Sequence, residues 1–268
     1  MRRPPPVGLY GITATPSDCA NAAEKVIAQG FDALKFDPLP RPWRSHIPRD
    51  HVRQAVEVVK AIRTAVGPKV DLLLDIHRRL APTTAIQLSR EVEPYGIYWF
   101  EEPCPSENLE AIAEVRAATS IPVVTGEALY GRAGFRDVLR RRCADILNPD
   151  VSNCGGILEL TFIAAAAEAE LVAVSPHNYN STTLALSATV QAAATMPNFT
   201  LTEYFMPYES FGRVIAANPL VPVKGYIDLP TGPGLGLDIL EDAVRAHPAK
   251  VYAPRTFRSS EDQPIAGE

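Results

Sequence analysis

Val70-Asp-Leu-Leu-Leu-Asp-Ile-His77, Ile97-Tyr-Trp-Phe-Glu-Glu-Pro103 and Ile121-Pro-Val-Val-Thr-Gly-Glu127 are three short apolar runs, each with a carboxylate near its C-terminal end. Asp75, Glu101 and Glu127 follow one another at intervals of 26 residues. Short runs that are apolar almost throughout read as strands buried on both faces, which a parallel sheet requires. The rhythm continues on either side, with further strands predicted at Val7–Ile12, Ala33–Asp37, Ala144–Asp150, Val172–Pro176 and Phe199–Tyr204. Amphipathic or Ala-rich stretches separate them, among them Asp50–Val66, Glu107–Ala118 and Leu158–Glu170, with cap-like residues at Ser106 and Thr83.

Strands alternating with helices of this length make βαβ units. Eight strands with seven connections predict an α/β fold, a TIM-type (β/α)7β barrel. An open doubly wound sheet would carry a Gly-rich turn after its first strand, and Gly11 followed by Ile-Thr-Ala-Thr-Pro is no such turn. The barrel is expected over residues 1–205, and the Pro- and Gly-rich residues 206–268 as a C-terminal extension packed on it. Within that extension Thr231-Gly-Pro-Gly-Leu-Gly236 lacks the Gly-Lys-Ser/Thr ending of a phosphate loop and reads as a turn.

Composition narrows the function classes. The chain has 268 residues, 46% hydrophobic and 21% charged, which is globular rather than disordered. Against 31 acidic residues stand 26 Lys and Arg, a net charge of −5, so no nucleic acid is expected as a partner. No apolar run reaches the roughly 18–20 residues of a membrane span, and the N-terminal arginines have no apolar stretch behind them, so neither a membrane nor a secretory signal is expected. Cys19, Cys104, Cys143 and Cys154 never form a C-x-x-C pair and read as reduced, buried thiols of a cytoplasmic protein.

The chemistry follows from the spacing. One barrel repeat returns the chain to the neighbouring strand at the same height, so Asp75, Glu101 and Glu127 should converge at the C-terminal mouth, where barrel enzymes carry their sites. Three unpartnered carboxylates repel one another, and a hard divalent cation resolves the conflict; oxygen ligands suit Mg2+, with Mn2+ as a substitute. Asp150 ends the sixth predicted strand, His177 follows the seventh, Glu203 lies on the eighth, and Lys35 and Asp37 lie on the second. Asp150 and His177 could pair, the carboxylate fixing the imidazole tautomer and raising its basicity. His77, two residues after Asp75, points the same way if the strand persists, which would place it across the site from His177. The alternative reading is a surface or outer-lying His77 followed by solvated Arg78 and Arg79.

Together, Leu74-Asp75-Ile-His77, Phe100-Glu101-Glu102-Pro103, Thr125-Gly126-Glu127, Asn148-Pro149-Asp150 and Ser175-Pro176-His177-Asn178 resemble the enolase superfamily. Within it they resemble the mandelate racemase subgroup and its galactonate dehydratase-type sugar-acid dehydratases. The resemblance implies that Asp75, Glu101 and Glu127 are the Mg2+ ligands and that Asp150 and His177 are the general-base dyad. It implies further that Glu203 holds the substrate carboxylate, that Lys35 is the first lysine of a Lys-x-Lys motif, and that His77 is the histidine such dehydratases place after the first ligand. Asp37 stands where the motif has its second lysine.

The reaction expected from this resemblance is abstraction of the proton alpha to the carboxylate of an aldonic or aldaric acid by His177. Lys35 and the cation would stabilise the enediolate, and a 2-keto-3-deoxy acid would form. Racemisation or epimerisation of a 2-hydroxy acid is the alternative, weakened by Asp37, and a catalytically weak metal-binding barrel is a third. The expected partner is a small sugar acid, and the expected assembly a homo-oligomer. Members of this family carry an N-terminal α+β capping domain, which this chain is expected to lack, so that alone it should bind Mg2+ weakly, turn over poorly and tend to associate. Fusing a cap from a related enzyme before Val7 should then raise kcat/KM by orders of magnitude in a steady-state assay. A monomeric and fully active 268-residue protein would contradict that expectation.

Overall fold

The computed structural model describes residues 15–41, 44–179 and 181–249. Thr15 opens the first helix with a capping box, its hydroxyl accepting from Asp18 N–H while Asp18 accepts from Thr15 N–H. That helix, α1 (Pro16–Ile27), leads into β1 (Ala33–Phe36), and helix and strand then alternate: α2 (Arg49–Val66), β2 (Asp71–Asp75), α3 (Pro82–Val92), β3 (Ile97–Glu101), α4 (Leu109–Ala118), β4 (Val123–Thr125), α5 (Gly131–Arg141), β5 (Ile146–Leu147), α6 (Ile157–Ala169), β6 (Ala173–Val174) and α7 (Thr183–Ala193). The six strands form one parallel sheet in sequence order, β1-β2-β3-β4-β5-β6. This is the expected βα rhythm, with strand ends shorter than predicted. The first predicted strand, Val7–Ile12, lies outside the described residues.

Among the described residues the eighth predicted strand forms isolated bridges, one of which pairs Phe199 with Val174 of β6. Its last residues reach the other end of the sheet. Glu203 touches Lys35 of β1, and the Tyr204 ring stacks on Phe31 with centroids 6.3 Å apart.

Two apolar layers separate cleanly. Leu34 and Phe36 of β1, and Leu72 and Leu74 of β2, join the large cluster between sheet and helices. Ala33, Leu73, Trp99, Val124, Ile146 and Leu201 form a second, smaller cluster, one residue from each of β1 to β5 and one from the returning segment. Successive strand side chains point to opposite faces, so the residue two positions further along each strand stands directly above this layer. Those residues are Lys35, Asp75, Glu101, Asn148 and Glu203. The inner apolar cluster is therefore the floor of a layer of polar and charged side chains.

Two helix starts differ from expectation. Asn108, rather than Ser106, caps α4 through Ala111 N–H at 3.0 Å. Ala81 precedes α3 without a side-chain cap, Pro82 occupying the first turn. Beyond residue 205 the chain forms α8 (Glu209–Ile215) and α9 (Glu241–Arg245) and lies against α7, with Ser187 donating to Leu235 O at 2.6 Å and Gln191 to Pro230 O at 2.9 Å. Thr231–Gly236 closes as a turn through Gly236 N–H to Pro233 O. Among the described residues no helix is long and apolar enough to cross a membrane.

Leu73 is fully buried in the floor. Leu73→Ala should cost about 2–5 kcal/mol of stability in urea unfolding, because a close-packed layer leaves a cavity. A loss below about 1 kcal/mol would show that the floor is not packed as described.

Candidate active site

The polar layer assembles from strand ends. β2 and β3 pair in register with Asp75 opposite Glu101, which sets those two carboxylates at one height. Glu127 needs a further device, because strict alternation from Val124 would point residue 126 inward instead. Gly126 breaks the alternation at φ +140°, and a Cβ there would stand 2.7 Å from the Phe135 ring. Only glycine tolerates that turn and that contact together. Asp75, Glu101 and Glu127 each offer one oxygen within 4.8 Å of the others, as the equal spacing led one to expect.

Lys35 is 1% exposed and sits among these acids, its Nζ 2.7 Å from Glu101 Oε1, 3.2 Å from Asp75 Oδ2, and in contact with Glu203. Asn148 donates to the same Glu101 oxygen at 2.9 Å. Glu101 Oε2 is buried and accepts no hydrogen bond among the described residues. Burial and the neighbouring Asp75, Glu203 and Glu127 carboxylates outweigh Lys35 and hold the Glu101 carboxyl well above its ordinary pKa. A buried, unpaired oxygen in a cluster with an excess of negative charge is what a divalent cation would satisfy, and three hard carboxylate donors fit one. Glu102 points away from the cluster, accepting from Thr125 Oγ1, Gly126 N–H and Ser106 Oγ.

On one flank stands His177, its Nδ1 2.7 Å from Asp150 Oδ2, the two residues being bridged as backbone neighbours. An ionised Asp150 requires the proton on Nδ1, which leaves Nε2 facing Glu127 Oε2 at 3.3 Å and Glu203 Oε2 at 3.5 Å. Burial disfavours the charged imidazole, but Glu203, Glu127 and Asp150 prevail and raise its pKa to about 10. On the other flank is His77, with Nδ1 3.3 Å from Asp37 Oδ2 and Nε2 3.4 Å from Asp75 Oδ2. Three strands, β3 to β5, lie between the one carrying His77's neighbour Asp75 and β6, which leads to His177, so the two imidazoles face each other across the carboxylates.

Three expectations need correction. The strand does not persist to His77: it ends at Asp75, and His77 and Arg78 adopt left-handed φ of 54° and 59°. His77 is turned toward the cluster by that bend, which holds His77 N–H on Asp75 Oδ1 at 3.0 Å. Left-handed backbone at two consecutive non-glycine residues is costly and collects at functional sites. Arg79 is not solvated but 2% exposed, bonded to Ile76 O at 2.9 Å and paired with Asp37. Arg78 is mostly covered and its Nη1 pairs with Glu127 Oε1. Long-range partners of this kind leave no local pattern in a sequence. Asn148 had one, since it stands two residues beyond Ile146 on an inward-facing register.

A cavity of about 450 Å³ opens from this cluster, lined in part by Arg78, Ser106, Glu127, Tyr130, Asn153 and His177. All four cysteines are free and buried, and burial raises their pKa values, to about 12 for Cys104.

Comparison with known proteins agrees with this geometry. Residues 18–243 match the family described as enolase C-terminal domain-like. The D-gluconate dehydratase of Thermoproteus tenax is 34% identical over 249 residues, covering 91% of this chain and 50% of that protein. The D-galactonate dehydratase of Ralstonia pickettii (strain 12J) is 35% identical over 235 residues, covering 85% of this chain and 61% of that one. The chain thus spans about half to three-fifths of the length of these curated relatives. A crystal structure of a mandelate racemase/muconate lactonizing enzyme from Jannaschia sp. CCS1 superposes with a TM-score of 0.86 at 32% identity, covering 94% of this chain and 67% of that one. A TIM-barrel fold, a carboxylate triad at its mouth and these relatives lead to one conclusion: the chain belongs to the enolase superfamily.

Proposed function

We propose that this chain carries the catalytic barrel of a sugar-acid dehydratase, a hydro-lyase that takes an aldonic or aldaric acid to a 2-keto-3-deoxy acid. The observation that carries the reading is the pair of partly exposed imidazoles, each anchored by its own aspartate, on opposite sides of a carboxylate triad. Elimination of water needs a base at the α-carbon and an acid at the β-hydroxyl, and two separately held histidines supply both.

Asp75, Glu101 and Glu127 would hold a divalent cation, Mg2+ or in its place Mn2+. Bound there, the cation would supply Lewis acidity toward the substrate carboxylate. With Glu127 committed to it, the field that holds the His177 imidazolium would weaken and Nε2 could accept. His177 takes the α-proton, and the C–H electron pair moves into the C1–C2 bond to give an enediolate. Lys35, pointed at the same spot from β1, counters part of the charge that develops on the carboxylate oxygens. Glu203, held by Asn178 N–H at 2.9 Å, positions the carboxylate end of the substrate beside Lys35. The enediolate then collapses, the β-C–O bond breaks, and His77 delivers a proton to the departing oxygen, so that one water leaves. The remaining enol tautomerises to the 2-keto-3-deoxy acid.

Epimerisation by a lysine on the strand carrying Lys35 is disfavoured by Asp37. Its carboxylate is 3% exposed and committed to Arg79 and His77. Burial opposes its charge, yet Arg79 and then His77 keep its pKa below the ordinary value.

In titration calorimetry Mg2+ should bind the wild-type chain, and Glu101→Gln should abolish binding while leaving the circular dichroism spectrum intact; undiminished binding would remove Glu101 from the ligand set. With a panel of aldonic and aldaric acids in deuterated water, His177→Asn should lose both α-deuterium exchange and keto-acid formation, by about 10²–10⁴-fold. His77→Asn should keep exchange and lose keto acid. If His77→Asn abolished exchange and His177→Asn did not, the two roles would be reversed, and unimpaired keto-acid production by both variants would overturn the proposal.

A further inference from the structure

Each carboxylate of the triad has one oxygen already held by the chain. Glu101 Oε1 accepts from Lys35 Nζ at 2.7 Å and from Asn148 Nδ2 at 2.9 Å. Asp75 Oδ1 accepts from His77 N–H at 3.0 Å. Glu127 Oε1 accepts from Arg78 Nη1. The second oxygens of the two glutamates, Glu101 Oε2 and Glu127 Oε2, are buried and accept no hydrogen bond among the described residues, although His177 Nε2 stands 3.3 Å from the latter. Asp75 Oδ2 faces Lys35 Nζ at 3.2 Å. The glutamates therefore offer the centre of the cluster one bare oxygen each rather than an open pair.

We infer that Arg78 sets the cation preference of this site: by holding Glu127 Oε1 it limits Glu127 to a single ligand oxygen and so favours Mg2+ or Mn2+ over Ca2+. The inference rests on the triad being a cation site, and not on the reaction carried out there. Ca2+ gathers about six to eight oxygens and readily takes both oxygens of one carboxylate, whereas the smaller Mg2+ demands near-octahedral geometry. A carboxylate whose outer oxygen is engaged in a charge-assisted hydrogen bond has to give up that bond before it can chelate.

The backbone shows how Arg78 is brought to this task. Its φ is 59°, and its N–H donates to the carbonyl of Glu102, just past β3, at 2.7 Å. From that anchor the side chain, 18% exposed, crosses to Glu127 beyond β4. Left-handed backbone at a non-glycine residue is costly, and here it delivers a guanidinium to the outer oxygen of a ligand. The planar fork of arginine fixes the rotation of a carboxylate better than the point charge of a lysine does, and partners of this kind orient metal ligands. For the Glu127 carboxylate, Arg78 is the one hydrogen-bond donor among the described residues. Its charge alone would weaken the binding of every divalent cation alike. The ratio of two affinities, rather than either affinity, therefore reports its hold on the oxygen.

Displacement of Mn2+ from the full chain, followed by electron paramagnetic resonance with Mg2+ and Ca2+ as competitors, tests this. The wild-type chain is expected to bind Mg2+ more tightly than Ca2+. Arg78→Met should lower the ratio of the Ca2+ Kd to the Mg2+ Kd by about 10-fold or more, the scale on which such outer partners act. Arg78→Lys keeps the charge, and with it the fold should the first variant not fold. It should lower the ratio as well, because the ammonium is a single point on a shorter stem. A ratio unchanged in the folded variants, including the case in which both affinities rise together, would overturn the inference and leave the cation site standing. So would a wild-type chain that preferred Ca2+. A wild-type chain that bound none of the three cations would overturn the cation site itself, and this inference with it.

Discussion

The Lys35 ammonium, almost wholly buried, touches Asp75, Glu101 and Glu203 together, and around that contact the rest of the mouth is arranged. Two carboxylates 4.8 Å apart, the span of the triad, repel by about 3–4 kcal/mol at the effective dielectric suited to protein sites. Lys35 offsets some of this, Asn148 hydrogen-bonds the same Glu101 oxygen, and Arg78 reaches Glu127 from the bend after β2. The acids still outnumber the cations among these groups. That unresolved charge is why the site suits a divalent cation, and why His177 and His77, facing it from opposite sides, are both pulled toward their protonated forms.

A barrel can carry such a layer because the layer beneath it is apolar and close-packed. The floor of Ala33, Leu73, Trp99, Val124, Ile146 and Leu201 shields the charged side chains from the solvent below. It also leaves them little freedom, since each of five polar residues stands two positions beyond a packed one. Stability and site geometry are thus joined at the level of single strands. A register slip of one residue would turn Asp75 and Glu101 into the helix layer and bring Leu74 and Phe100 to the mouth.

Much of this was legible beforehand. The 26-residue interval between Asp75, Glu101 and Glu127 reports the length of a βα repeat, and a repeat is a property of the chain. The Asp150–His177 pair followed from adjacent strand ends in the same way. What escaped were features that depend on contacts between distant segments or on local breaks in regularity. The bend that aims His77, the burial of Arg79 on Asp37, and the reach of Arg78 to Glu127 are set by partners at the ends of other strands, and arginine after arginine reads locally as a solvated surface. Gly126 lay in plain view, but its need for a left-handed turn is apparent only once Phe135 and Asn148 are seen beside it. The eighth predicted strand makes isolated bridges among the described residues, and the first predicted strand, which a closed barrel sets beside it, lies outside them.

The central claim is that the carboxylate layer is a cation site at the focus of two opposed histidines. Anomalous diffraction from crystals grown with Mn2+ addresses it without any assay. The account requires one strong manganese peak bonded to oxygens of Asp75, Glu101 and Glu127, with His177 and His77 on opposite sides of it. A peak elsewhere on the molecule, or none at the triad with the Lys35 ammonium filling the space between its oxygens, would contradict it.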